Sequence, residues 1–287
     1  MSYNHEIAKI AVDSSVIAYF DEQDAKVEFE NNEFNYFKIV KDDNTGTLGY
    51  IVSKPKKLII AFRGSDFPHM NDLNTYANDN DTKLNDDLEN LNVNGIIDLF
   101  SKTYELIITE VQNIIDPFIT LFRSTVASSK DFLTDINVKK IDIENDLSIS
   151  QASSIKVHNG FYNSYMSVKS QIDNILNELK LEEYDEIIIT GHSLGGALAT
   201  ICALDLVNNI NNLIIHMYNF ASPHVGNKDF VKLYNSKVNN SFRIHFTKGD
   251  WMNYANIVLW TLGYQPVNNE KDLGEGEHNR NVYKASI

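Results

Sequence analysis

Ser193 stands in the run Gly191-His192-Ser193-Leu194-Gly195, a spacing that turns a serine into a nucleophile when it falls between a strand and a helix. The apolar run Ile187 to Thr190 precedes it, and a small-residue helical pattern opens at Leu194. A serine on so sharp a turn has a strained backbone, so the residues two positions away on either side must lack bulk. Gly191 and Gly195 meet that demand, and Gly196, Ala197 and Ala199 let the helix lie close to the strand. The Leu194 N–H, at the helix start, points where negative charge collects once the serine oxygen has attacked a carbonyl. A phosphate-binding loop would need a lysine after the glycines, and Ala197 stands there instead. A glycine-rich turn with only a structural use is the plainer alternative.

A lone serine is a weak nucleophile and needs a base held by an acid. Where the nucleophile sits on a strand-to-helix elbow, the acid follows it in the chain and the histidine comes last. The later histidines are His216, His224, His245 and His278. His216 and His245 lie inside apolar runs, as strand histidines do, and His224 follows Ser222-Pro223 in a turn. His278, in the Gly274-Glu275-Gly276-Glu277 loop, fits the order best and is the expected base. Asp250 closes the strand-like run from Phe242, at an edge where such sheets gather their sites, and is the expected acid; a turn residue is its plainer reading. A second oxyanion donor is expected from the chain that leaves an early strand, and Leu58 to Phe62 followed by Arg63-Gly64-Ser65 points to the Ser65 N–H.

The elements needed to position these groups can be read in outline. Ile7, Ile10, Ala11, Ser14, Ile17 and Ala18 share one side of an opening helix. Strands are expected over 34–40, 46–52 and 58–62, joined by hairpin chemistry at Asp42 to Gly46 and at Lys54-Pro55. Beyond residue 155, helices near 164–180, 194–207 and 228–235 alternate with strands at 187–190, 213–220 and 242–246. That alternation predicts a mostly parallel sheet with helices on both faces.

Composition narrows the partners. With 287 residues and 43% hydrophobic content, the chain can bury a full core as one α/β domain. A net charge of -14 makes nucleic acid and anionic membrane surfaces poor partners and favours a neutral or interfacial substrate. Cys202 is the only cysteine, so neither an intrachain disulfide nor a multi-cysteine zinc site is possible. No signal-like start and no run of about 18 apolar residues is present, so a transmembrane segment is not expected. A cytoplasmic location is the simplest expectation, with secretion by another route or after trimming left open.

Five segments in order resemble the class 3 lipase family, the fungal-type lipases and their relatives. They are Ile59 to Ser65, Val157 to Phe161, Ile188 to Gly196, Tyr218 to Asn227 and Phe242 to Asp250. The resemblance implies an α/β-hydrolase fold, no metal or cofactor, and hydrolysis of lipid carboxylic esters through an acyl-enzyme. It puts the nucleophile on Ser193, the acid on Asp250, the base on His278 and the oxyanion donors on Ser65 and Leu194. Gly191, His192 and Gly195 are given elbow roles, and His158 a supporting role beside Gly160 and Phe161. The chain departs from the family at His224, where an arginine is usual, and at Trp251-Met252-Asn253, where Val-Pro is usual.

The interval 66–154 is also longer than the family requires. It holds 16 acidic and 6 basic residues together with an apolar helical stripe, so a lid or helical subdomain over 95–126 and ordinary core helices are both open readings. Three functions stay in view: a lipase or esterase; a phospholipase A1 or lysophospholipase with the same triad; and a silent lipase-like protein that binds a lipid or partner without turnover.

Overall fold

The computed structural model describes residues 2–64, 140–142, 154–250, 252–267 and 269–287. Most of the interval 66–154, including the expected lid over 95–126, lies outside the described residues. So does Ser65.

Three antiparallel strands open one side of the sheet: β1 (Tyr36–Asp42), β2 (Thr47–Lys54) and β3 (Lys57–Phe62). The Asp42 carboxylate accepts the Thr45 N–H at 2.8 Å and closes the first turn. In the second turn Pro55 presets its own φ, and Lys56 takes a positive φ of 69°. Two three-residue strands, β4 (Lys140–Asp142) and β5 (Lys156–His158), form a separate antiparallel pair. The main sheet then continues in parallel through β6 (Glu186–His192), β7 (Ile214–Phe220), β8 (Asn240–His245) and β9 (Glu270–Asp272). Its order is β1-β2-β3-β6-β7-β8-β9.

Parallel neighbours need crossovers, and helices supply them. The described helices are α1 (His5–Ile17), α2 (Glu22–Asn31), α3 (Asn159–Glu178), α4 (Leu194–Asn209), α5 (Lys228–Lys237), α6 (Met252–Thr261) and α7 (Arg280–Ser286). The central strands send alternate residues to opposite faces. Leu58, Ile60, Phe62, Ile187 and Ile189 pack with Val168, Ile172, Leu198 and Phe230 from α3, α4 and α5. Ile59, Ala61 and Ile188 pack with Ile7, Ala11, Phe29 and Tyr283 from α1, α2 and α7. Both faces of the central strands are therefore dry, and Ser193 leaves the C-terminal end of a strand buried on both sides. Among the described residues no helix is long and apolar enough to cross a membrane.

Four described elements have little signature in the sequence. Helix α2 buries only Ala25 and Phe29 among many charges, so its apolar period is faint. Helix α6 runs apolar through Ile257 to Trp260 and shows no stripe. All three residues of β9 are exposed, and α7 has seven residues. One expectation needs correcting: β8 ends at His245, so Asp250 lies on the loop beyond the strand, where the chain turns through Gly249 at a φ of 79°.

Candidate active site

Ser193 links β6 to α4 with φ 58° and ψ -128°, outside the regions an L residue ordinarily occupies. Its N–H donates to the Phe220 carbonyl of β7 at 2.8 Å, which pins the turn to the neighbouring strand. The two flanking glycines are required by contact. A Cβ on Gly191 would run into the Gly195 backbone, and one on Gly195 would strike the Phe62 carbonyl of β3. The elbow is thus clamped between strands on both sides, and Leu194 opens α4 with an N–H that no helical carbonyl can accept.

The Ser193 hydroxyl lies 3.0 Å from His278 Nε2, and His278 Nδ1 lies 2.8 Å from Asp250 Oδ1. Ser193, His278 and Asp250 are only 3%, 0% and 1% exposed. Because the carboxylate can only accept, the proton sits on Nδ1, and Nε2 is left with a lone pair facing the serine. Two further donors meet the acid: the Met252 N–H reaches Oδ1 at 2.8 Å and the Tyr283 hydroxyl reaches Oδ2 at 2.6 Å. Burial by itself would raise the Asp250 carboxyl, yet His278 and the Tyr283 and Met252 donors hold it below the ordinary carboxylate range. Tyr283 moves the other way, pushed well up by burial and by the carboxylate beside it. The loop that carries His278 reaches Asp250 because Gly276 packs flat on the Phe246 ring and donates its N–H to the Lys248 carbonyl at 3.0 Å.

His192 sits behind His278. Its ring centroid lies 4.7 Å from that of His278, and its Nδ1 is 2.9 Å from the Tyr19 hydroxyl. Burial, with the nearby His278 and Arg280, drives its pKa well below the ordinary value and leaves it neutral. Strand β3 approaches from the same side. Phe62 pairs in register with Gly191, and a Cβ on Gly64 would collide with the Tyr19 hydroxyl and the His192 carbonyl.

The other described histidines stand apart from this relay. His158 caps α3 by accepting the Gly160 N–H at 3.1 Å and stacks on Phe161; burial lowers its pKa to about 4. His216 Nε2 lies 2.9 Å from Glu186 on β6. His245 ends β8, and the His224 backbone N–H donates to the Asn256 side-chain oxygen at 2.7 Å. Sequence reasoning missed Tyr283, Tyr19 and the Met252 N–H, because neither residue type nor spacing marks them as partners. Among the described residues no cluster of three or more His, Cys, Asp or Glu is arranged to hold a metal ion.

The family described as lipase (class 3) matches residues 119–251, a stretch that includes Ser193 and Asp250 and stops short of His278. A secreted mono- and diacylglycerol lipase of Malassezia restricta is 28% identical over 145 residues, covering 50% of this chain and 48% of its own. A phospholipase A1 of Oryza sativa subsp. indica is 35% identical over 122 residues, covering 37% of this chain and 31% of its own. The chain thus spans about half the length, or less, of the curated relatives it matches. A triacylglyceride lipase of Rhizomucor miehei superposes with a TM-score of 0.59 at 17% identity, over 93% of this chain and 79% of that one. A mono- and diacylglycerol lipase of Aspergillus oryzae gives 0.57 at 19%, over 94% and 80%. At such identities the likeness speaks for the fold, which is that of an α/β hydrolase.

Proposed function

We propose that this chain, whose residues 119–251 match the class 3 lipase family, hydrolyses carboxylic esters of lipids through an acyl-enzyme on Ser193. One observation carries the reading: a serine on a strained elbow holds its hydroxyl 3.0 Å from a histidine that is itself bonded to a buried aspartate. In this reading Ser193 Oγ attacks the acyl carbonyl while its proton passes to His278 Nε2. Asp250 keeps the imidazole in the required tautomer and balances the imidazolium as it forms. The oxyanion is received by the Leu194 N–H and, from the family resemblance, by the Ser65 N–H just past Gly64. His278 then protonates the departing alcohol, and water repeats the sequence in reverse to release the acid.

Monoacylglycerols and diacylglycerols are the first substrates to try, by analogy with the Malassezia relative. The rice relative supports a second reading, cleavage of a phospholipid acyl ester by the same three residues. The test is a panel of p-nitrophenyl butyrate, mono- and diacylglycerols and phosphatidylcholine, assayed with wild type and Ser193→Ala, beside labelling by a fluorophosphonate. Hydrolysis and labelling are expected in the wild type and in neither case for Ser193→Ala. A wild-type chain that is folded but unlabelled and inactive on the whole panel would overturn the proposal in favour of a binding protein.

A further inference from the structure

We infer that Tyr19 and His192 act as a positioning pair that fixes the plane of the His278 ring, with Arg280 holding Tyr19 in place. The inference rests on the triad reading above and adds to it a contribution from the N-terminal part of the chain.

His278 is bonded at both ring nitrogens, to Asp250 and to Ser193. Two bonds at opposite ends of a ring fix its ends but leave it free to rock about the line joining them. During a turnover Nε2 must also trade the serine oxygen for the leaving oxygen, so the ring has to be guided when the serine bond is absent. A surface against the ring face supplies that guidance, and His192 is that surface. Its ring lies 4.7 Å from His278 at an interplanar angle of 43°, and 5.6 Å from Tyr283, the donor to Asp250. A single side chain therefore backs both side chains that grip the acid, His278 and Tyr283.

A histidine is an awkward choice for a wall. His192 is 2% exposed, and its Nε2 is buried without a hydrogen-bond partner among the described residues, a loss that leucine or phenylalanine would avoid. What histidine adds is an anchor, since Nδ1 is held by the Tyr19 hydroxyl at 2.9 Å, and a rotamer fixed at its far edge cannot yield when the base moves. Because the ring is kept neutral, it also adds no charge beside the imidazolium. Tyr19 is fixed in its turn. The Arg280 guanidinium lies 4.0 Å above its ring, and Arg280 stands two residues after His278. The segment that carries the base thus also holds the prop behind it.

The test uses the full chain and p-nitrophenyl butyrate, with rates divided by the fluorophosphonate-titrated site concentration. Tyr19→Phe keeps the ring under Arg280 and removes the hydroxyl that anchors His192, while His192→Leu removes the anchored ring itself. Each is expected to lower kcat about tenfold, with KM within twofold of wild type, and the double variant to fall no further than the worse single one. His192→Leu is also expected to melt no lower than wild type, which separates positioning from folding. A kcat within twofold of wild type in either variant, or losses that multiply in the double variant, overturns the inference. If the wild type itself neither labels nor turns over, it is the triad reading that fails.

Discussion

Three donors converge on the Asp250 carboxylate, and each holds a different part of the proposed mechanism in place. The bond from His278 Nδ1 sets the tautomer, so Asp250→Asn, which can turn a donor toward that nitrogen, is expected to lower kcat by roughly 10³–10⁴-fold with the fold intact. Stopped assays on p-nitrophenyl butyrate, paired with far-UV circular dichroism, would check it. The Tyr283 hydroxyl and the Met252 N–H hold the carboxylate in place for that bond. Tyr283→Phe loses one hydrogen bond to a charged group, and a fall in kcat of about 10-fold is expected, measured at matched site concentrations. The two losses differ because only the first presents the wrong proton to the base. Ser193, Asp250 and His278 were legible because the chemistry demands those residue types in that chain order. Tyr283 and Tyr19 were not, since a phenol can reach a buried partner from any element that packs nearby, and no spacing is prescribed.

At the scale of elements, the elbow depends on how closely β6, α4 and β3 approach. The Cα of Gly191 faces the backbone of Gly195, and that of Gly195 faces the Phe62 carbonyl, so a single methyl at either place must separate a strand from a helix. Gly191→Ala is expected to destabilise the chain by about 1–3 kcal/mol and to abolish fluorophosphonate labelling. Urea unfolding followed by tryptophan fluorescence gives the first quantity. A variant that kept both stability and labelling would mean that the helix can withdraw at no cost. Strands β3 and β6 could be read from composition because burial on both faces leaves near-continuous runs such as Leu58 to Phe62 and Ile187 to Ile189. Helix α2 and strand β9 could not, since an element that buries few side chains writes little period into the sequence. The acid shows the same limit: a loop residue held by three donors has no periodicity, and the run read as closing on Asp250 leaves the strand five residues earlier.

At the scale of the whole molecule, five of the described histidines share one tendency. Burial lowers the pKa of His158 to about 4 and, with Arg243 and His245 nearby, that of His224 to about 3; it is also the largest cause that pushes His192, His216 and His245 down. In the unfolded chain these groups take up protons near their ordinary pKa of about 6.5. Between that pH and the lowered values the unfolded state binds more protons, so stability present above about pH 6.5 is lost as pH falls. The Asp250 carboxylate, also lowered, adds a loss only at more acidic pH. The melting temperature is therefore expected to hold level above pH 7 and to drop by roughly 10 °C between pH 6.5 and 4.5, at constant ionic strength. A flat profile through that window would show that the histidines are solvated in solution. The reach of the relay along the chain has a consequence of another kind, in the order of synthesis. Ser193 precedes its base by 85 residues, which a ribosome adding about 5–20 residues per second needs roughly 4–17 s to deliver. On the proposed mechanism the nascent elbow until then carries a serine with no base to activate it, and the emerging chain is silent toward the esters around it.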